Sequence, residues 1–237
     1  MNFKYSIKQI EKKYSELDLK DSWRFLYTPK STLVDNNGLV IMGLNPGGTA
    51  DEPIPSVESG NAFLTEEWGS LFQAKTVNFM RGIALTTGLD FESMMNNSLT
   101  SNAVPFRSSN FQSLENKWEA FKFARNLWLP ILSEQPPKLV ICLGNGREWS
   151  SYTLVRKIIG CTAPVKTYEK TIGTNTIKIS RNAYTTVIGL PHFSNWANNV
   201  DNPQLLTTIY AACFAFASHC KTKKTTNKVV VSSALSS

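Results

Sequence analysis

Four short, strongly apolar segments place the tightest constraint on the fold of this chain. They run from Gly38 to Leu44, Leu99 to Val104, Lys138 to Gly144 and Thr185 to Leu190. Nearly continuous apolar runs of this length are typical of strands that are buried on both faces of a sheet. Because tens of residues separate successive runs, each connection is long enough for a helical crossover. The pattern therefore favours a parallel sheet.

The connecting segments have the periodicity of helices. The candidates are Glu66 to Thr87, Leu114 to Leu132, Arg147 to Ile159 and Pro203 to His219, preceded by an amphipathic helix at the amino terminus, Met1 to Ile10. Alternating strands and helices predict an α/β fold, a three-layer α/β/α sandwich with a mostly parallel central four-stranded sheet. Val165 to Ser180 departs from this alternation, and we interpret it as a hairpin around Gly173 to Asn175, inserted before the last strand.

Residues 1 to 220 contain no repeat and no linker, which predicts a single domain. Residues 221 to 237 hold four lysines and no acidic residue, and they predict a basic, disordered tail. The chain has 237 residues and a net charge of +7. That length is sufficient for a core that folds without disulfides or metals.

Several classes of protein are disfavoured. The longest apolar candidate, Leu205 to Ala217, is shorter than a membrane span and is interrupted by polar residues, so we expect no membrane partner. The amino terminus lacks the pattern of a signal peptide, and we expect a cytoplasmic protein. The four cysteines, at positions 142, 161, 213 and 220, include no CxxC pair. We interpret them as reduced thiols in the core and expect neither a metal site nor a cofactor.

The loops that follow the four strands are where a ligand is expected, because open α/β folds bind ligands beyond the carboxyl ends of their strands. The first loop contains Gly47-Gly48, which lets a ligand approach the backbone closely, but it matches neither a Walker A loop nor a GxGxxG fingerprint. The second apolar run contains Asn102, whose amide needs partners if it is buried. The last strand is followed by His192, one of only two histidines in the chain.

Taken together, these segments resemble the uracil-DNA glycosylase superfamily. Gly43-Leu44-Asn45-Pro46-Gly47 is similar to the Gly-x-Asn-Pro-Gly motif of its mismatch-specific and single-strand-selective branches. His192-Phe193-Ser194 is similar to its His-Pro-Ser motif, with Phe in place of Pro. Thr100 to Arg107 resembles the strand that supplies the Asn that reads the base. The resemblance extends over about residues 35 to 200.

The resemblance implies a role for each motif residue in a glycosylase that flips a nucleotide out of the DNA stack. Asn45 would position the attacking water, and His192 would stabilise the negative charge on the leaving base. Asn102 would read the pyrimidine edge, and Phe63 is our choice for the aromatic that stacks on the base. DNA contacts would come from Gly47, Gly48, Ser194, Asn195 and Trp196. Trp196 would act as the wedge in the vacated space, although packing in the core explains it equally well.

These expectations lead to a monofunctional DNA glycosylase for uracil or a related or modified pyrimidine. We expect it to act as a monomer on single- or double-stranded DNA. The members of the superfamily with an iron–sulfur cluster have cysteines before the first motif, where this chain has none, so no cluster is expected. No lysine stands in a motif position, so no lyase step is expected. The alternative is a non-catalytic protein that binds a nucleic acid or nucleotide in the same pocket.

Overall fold

All four predicted core strands form in the computed structural model, which describes residues 2–36, 38–172 and 175–193, together with Ile209 and Cys213. The strands are β1 (Leu39–Gly43), β2 (Leu99–Asn102), β3 (Leu139–Cys142), β4 (Lys166–Ile172), β5 (Asn175–Arg181) and β6 (Thr186–Gly189). The four apolar runs correspond to β1, β2, β3 and β6. The predicted hairpin corresponds to β4 and β5.

Six helices connect these strands within the described residues. They are α1 (Phe3–Glu16), α2 (Ala62–Thr65), α3 (Leu71–Thr87), α4 (Phe91–Asn96), α5 (Lys117–Glu134) and α6 (Ser151–Ile159). The predicted helix Glu66 to Thr87 begins later than expected, because Ser70 caps it by accepting a hydrogen bond from the backbone N–H of Gln73. The predicted helix Pro203 to His219 lies outside the described residues, except that Ile209 and Cys213 are helical and buried.

The sheet has six strands in the order β2-β1-β3-β6-β5-β4, so the prediction of four strands was wrong. In this order the neighbours β2, β1, β3 and β6 pair in parallel, whereas β5 pairs antiparallel with both β6 and β4. The hairpin therefore extends the sheet instead of projecting from it. In this position Ile177 of β5 is fully buried and packs in the same core as Ile188 and Leu190 of the β6 segment. The fold is α/β with a mixed sheet.

Both faces of the sheet are covered by apolar side chains. On β1, Val40 and Met42 pack in a core that includes residues of α1, α5 and α6, while Leu39 and Ile41 pack in a second core with residues of α2, α3 and α4. This alternation follows from the pleat of a strand. It explains why the strand sequences show no polar face.

An irregular segment from Ser22 to Thr28 runs beside β2 and was not predicted from the sequence. The N–H of Arg24 donates to the carbonyl of Pro105, and the N–H of Tyr27 donates to the carbonyl of Thr100. Isolated bridges tie Trp23 to Phe106 and Leu26 to Ser101. This segment carries Arg24 and Tyr27 to the carboxyl end of β2.

No helix in the described ranges is long and apolar enough to cross a membrane. The predicted boundary at residue 220 and the tail that follows it lie outside the described residues.

Candidate functional site

A cavity of about 820 Å³ opens where the parallel strands end. Its lining comes from the carboxyl ends of β1 and β2, from the loops that follow them, from the region of α2 and α3, and from the loop after β6. It brings together six of the predicted site residues: Asn45, Gly47, Gly48, Phe63, Asn102 and His192. The predicted DNA contacts Ser194, Asn195 and Trp196 lie outside the described residues.

Asn102 is the last residue of β2 and lies in register with Gly43 of β1. Its side chain is 8% exposed, and its amide nitrogen donates a hydrogen bond of 2.8 Å to the hydroxyl of Tyr27. A Cβ atom at Gly43 would overlap the Asn102 amide oxygen, so only glycine leaves room for this conformation. Backbone and side chain thus hold the Asn102 amide at the cavity wall.

Tyr27 keeps its proton at neutral pH, because burial raises the pKa of its hydroxyl above the usual value. The group that orients Asn102 is therefore a neutral phenol, which can accept from the amide and donate elsewhere.

The orientation of the Asn45 amide is set by a chain of hydrogen bonds. Its nitrogen donates to the carbonyl of Pro46 at 3.1 Å and to the hydroxyl of Ser108 at 2.8 Å. The Ser108 hydroxyl donates in turn to the carbonyl of Asn110 at 2.9 Å, so it can only accept from Asn45. The amide oxygen accepts from no described residue. It is left as a hydrogen-bond acceptor in the lining of the cavity.

Gly47 and Gly48 form an exposed turn beside Asn45. Gly48 has a φ of +70°, in the left-handed region that favours glycine, and a Cβ on either residue would meet no atom within 4 Å. Arg107 secures the turn by donating to the carbonyl of Gly47 at 2.9 Å. The backbone here is open to a ligand and lies beside a cation.

Four aromatic rings form one wall of the cavity. The Phe63 ring is 6% exposed and lies 4.7 Å from Trp68, 6.1 Å from Tyr27 and 6.1 Å from Phe72, measured between ring centroids. Asn61 positions Phe63, since its side chain accepts from the Phe63 N–H and donates to the carbonyl of Met95. Phe63 is thus part of the wall, but Trp68 and Phe72 are less buried than it is and offer more surface to a ligand.

His192 lies three residues beyond β6 and stacks on Phe72, with ring centroids 4.8 Å apart and planes 10° apart. Its side chain is open to the cavity on one side and packed against protein on the other. Burial of that packed side lowers the pKa of the imidazole below its usual value, because the charged form loses solvation. The ring is neutral at physiological pH. Lys75 of α3 supports the loop by donating to the carbonyl of Phe193 at 3.2 Å.

An ion pair lies beside Asn102 and was not predicted from the sequence. Arg24 is 5% exposed, and its two terminal nitrogens donate to Glu66 at 2.9 and 2.7 Å. Its guanidinium carbon lies 3.9 Å from the centroid of the Tyr27 ring. The indole nitrogen of Trp68 also donates to Glu66, at 2.8 Å. Burial acts to raise the pKa of Glu66, but the hydrogen bonds from Arg24 and Trp68 outweigh it and lower the pKa below its usual value.

Sequence reasoning reached the glycine turn, the two asparagines and the histidine, because each stands at the end of an apolar run. It missed Tyr27, Arg24 and Glu66, which belong to segments with neither periodicity nor a motif. The only available signal was that a tyrosine and an arginine occur within the otherwise apolar segment from Trp23 to Tyr27. Trp68 stands only five positions after Phe63, the predicted stacking aromatic.

No cluster of three or more His, Cys, Asp or Glu side chains that could hold a metal ion occurs in the described part of the chain. Cys142 and Cys213 are buried, whereas Cys161 is exposed, so the prediction of core thiols was wrong for Cys161. Burial raises the pKa of the Cys142 thiol far above the usual value.

Comparison of this chain with protein families, with curated proteins and with solved structures finds no match. The resemblance to the uracil-DNA glycosylase superfamily therefore remains a prediction from the motifs.

Proposed function

We propose that this protein is a monofunctional DNA glycosylase that hydrolyses the N-glycosidic bond of uracil or a related pyrimidine. The observation that carries the proposal is the meeting of Asn45, Asn102, Phe63 and His192 in one cavity, although they are far apart in the sequence. We further propose a three-layer α/β/α arrangement, as the alternation of strands and helices predicts; the helices that pack in the two cores support it. In this reaction the target nucleotide leaves the stack and its base enters the cavity.

Recognition of the base falls to Asn102. An amide offers an acceptor for the N3–H of uracil and a donor for its O4, and Tyr27 restrains that amide through one of its two N–H groups. Cytosine presents the opposite pattern at these two positions. In a site as buried as that of Asn102, the mismatched groups would remain unpaired.

Stabilisation of the leaving group falls to His192. The C1′–N1 bond breaks with its electron pair on the base, and the negative charge spreads to the base oxygens. A neutral imidazole can stabilise such an oxygen by donating a hydrogen bond through its N–H while it keeps the proton. Stacking on Phe72 fixes the plane in which the imidazole N–H can point. The lowered pKa of His192 supports this role, since it keeps the ring neutral at physiological pH.

Positioning of the water falls to Asn45. Its amide nitrogen is occupied by Pro46 and Ser108, so its oxygen is the atom that accepts from a water near C1′. The water adds to C1′, and its proton passes to the solvent. An amide is not a base, so Asn45 orients the water without activating it. We therefore expect turnover to be slow.

A second candidate function is binding without catalysis. Glu66 is the only carboxylate among the described residues that line the cavity, and it is already engaged by Arg24 and Trp68. A cavity whose one carboxylate is already paired, and which holds a preformed amide reader, is also what a nucleotide sensor needs. The bond-breaking assay below separates the two functions.

A bulkier modified pyrimidine is the third candidate, and it falls within the enzyme class. The cavity volume is that of a site for a drug-sized ligand and exceeds what one pyrimidine requires. Thr49 and Ala50, from the segment Thr49 to Asn61, contribute to its lining. The Arg24–Glu66 pair would supply polar partners for a substituent on the base.

The test is a single-turnover incubation of the full chain with end-labelled oligonucleotides that carry one uracil, as single strand and as duplex. Half of each sample is treated with alkali, which cuts at abasic sites. We expect strand breaks only after alkali, together with free uracil in the supernatant. A panel of 5-substituted pyrimidines at the same position tests the third candidate. His192→Ala, with its fold checked by thermal unfolding, serves as the control for a contaminating glycosylase.

Binding of the uracil oligonucleotide without release of any base from the panel would contradict the proposal and favour the binding protein. Breaks without alkali would contradict the monofunctional assignment.

A further inference from the structure

A second concave surface lies between α5 and α6, outside the cavity described above. This α5–α6 groove has a volume of about 540 Å³ and is lined by Trp118, Trp149 and a set of charged side chains. Trp118 is 66% exposed, and its ring meets that of Trp149 edge to face at 5.3 Å. A large indole left in water on a helix surface often marks a binding site, because its burial against a partner is favourable.

The charge of the α5–α6 groove is strongly positive. Its lining has one carboxylate, Glu148, against five cations: Lys122, Arg125, Arg147, Arg156 and Lys157. None of the five forms a salt bridge with any residue that the structure describes. Exposed cations that outnumber the carboxylates of a concavity raise the local concentration of anions.

The α5–α6 groove adjoins the cavity through Phe111. This residue lines the cavity, and its ring lies 5.7 Å from that of Trp149 and 6.2 Å from that of Phe121, which both line the groove. Arg147 belongs to the loop after β3, which is one of the four loops where the sequence predicts a ligand. It contributes to the groove and not to the cavity. A ligand that extends out of the cavity past Phe111 would therefore come close to the aromatic rings and cations of the groove.

We propose that the α5–α6 groove binds a single-stranded nucleic acid, with a base stacked on Trp118 and phosphates held by the cations that surround it. The combination of an aromatic platform with a positive groove is characteristic of single-strand recognition. A duplex keeps its base faces covered, and an acidic peptide would use the cations but not the indole. The inference extends the proposed function by naming the single strand as the preferred form of its substrate. The binding itself does not require the cavity to be catalytic.

The experiment measures the affinity of the full chain for a fluorescein-labelled oligodeoxyadenylate, which contains no pyrimidine for the cavity to excise. Trp118→Ala should weaken the affinity by about 5- to 150-fold, the loss expected when one stacked base is released. Trp118→Phe should retain most of the affinity. Tyr168→Ala is the matched control, since Tyr168 is a similarly exposed aromatic, at 62%, that lines neither concavity. It should bind as the wild type does.

The phosphate contacts are tested by salt. Arg125→Ala and Arg147→Ala should each make the plot of log affinity against log salt shallower by about 0.7, the value for one phosphate contact in a single strand. Lys166→Ala, an exposed lysine on β4 outside the groove, should leave the slope unchanged.

Wild-type affinity in Trp118→Ala, with an unchanged thermal transition, would overturn the inference. So would a duplex of the same length that binds as tightly, or polyglutamate that competes as well as the oligonucleotide, because charge alone would then explain the binding. Excision from a uracil trinucleotide, too short to occupy the groove fully, reports on the cavity alone. Its absence would contradict uracil excision but not the groove, and its persistence in Trp118→Ala alongside weaker binding would support both.

Discussion

The substitution Asn102→Asp separates a site that reads pyrimidines from a merely structural asparagine at the end of β2. It replaces the amide NH2 with an oxygen and changes the size of the side chain very little. The carboxylate cannot donate to O4 of uracil, and it must accept a hydrogen bond from Tyr27 instead of donating one. Because a phenol hydroxyl can reverse its role in this way, the contact at 2.8 Å can persist and the fold should be retained.

The magnitude follows from the burial of Asn102, whose side chain is only 8% exposed. Water cannot easily replace the lost donor there, so the uracil oxygen bears the full loss of an unpaired polar group, about 1 to 3 kcal/mol. That range corresponds to a fall in the single-turnover rate of uracil excision of about 5- to 150-fold. The new carboxylate also gains an acceptor for the amino group of cytosine. Some cytosine excision should therefore appear, most readily at low pH, where a shared proton can bridge the carboxylate and N3.

The assay compares single-turnover excision of uracil and cytosine from the same strand by the wild type and by Asn102→Asp. Tyr27→Phe is the matched control, because it removes the partner of the Asn102 amide and leaves the amide itself. It should slow uracil excision by about 2- to 10-fold, the loss expected for one neutral hydrogen bond, and it should create no cytosine activity. Unchanged uracil excision in Asn102→Asp, with folding confirmed by its thermal transition, would refute the role of Asn102 and with it the assignment of the motifs.

Three further predictions concern His192 and the space around Asn102. His192→Ala should lower the single-turnover rate by about 10²-fold or more while changing DNA affinity little, and a full rate in a folded variant would remove His192 from the mechanism. The pKa of His192 is lower in the folded chain than in the unfolded chain, so the unfolded chain binds the proton more readily. The free energy of unfolding should therefore fall as the pH drops from above 6.5 through the folded pKa. His192→Gln should flatten that part of a plot of thermal midpoint against pH. Gly43→Ala should displace the Asn102 side chain and reduce excision at least as much as Asn102→Asp does. Gly47→Ala is the control and should fold normally, because a Cβ there meets no atom within 4 Å. Equal activity in Gly43→Ala and the wild type would show that the position of Asn102 does not matter.

Much of the sheet was predictable because a strand that is buried on both faces has an almost continuously apolar sequence. The segments around β1, β2, β3 and β6 are apolar runs, and the hairpin of β4 and β5 corresponds to two segments that alternate between apolar and polar residues. The place of the hairpin in the sheet was not predictable, because a strand with one buried face pairs equally well at a sheet edge or in a separate ribbon. Only the contact of β5 with β6 decides between these arrangements.

The residues of the candidate site likewise fall into those that the sequence predicted and those that it did not. Asn45, Asn102 and His192 are polar residues at the ends of apolar runs, where the chemistry of a residue contrasts with its surroundings and local sequence is informative. Arg24 and Glu66 are 42 positions apart and become meaningful only as a pair, because a buried cation needs its carboxylate and neither residue reveals the other in the sequence. Tyr27 likewise acquires its role from a hydroxyl contact with Asn102 across 75 positions. Groups that act alone at a strand end can be found from sequence, whereas groups that act through a distant partner require the fold. For this reason the proposed reader, Asn102, was visible from the sequence and the residues that hold it were not.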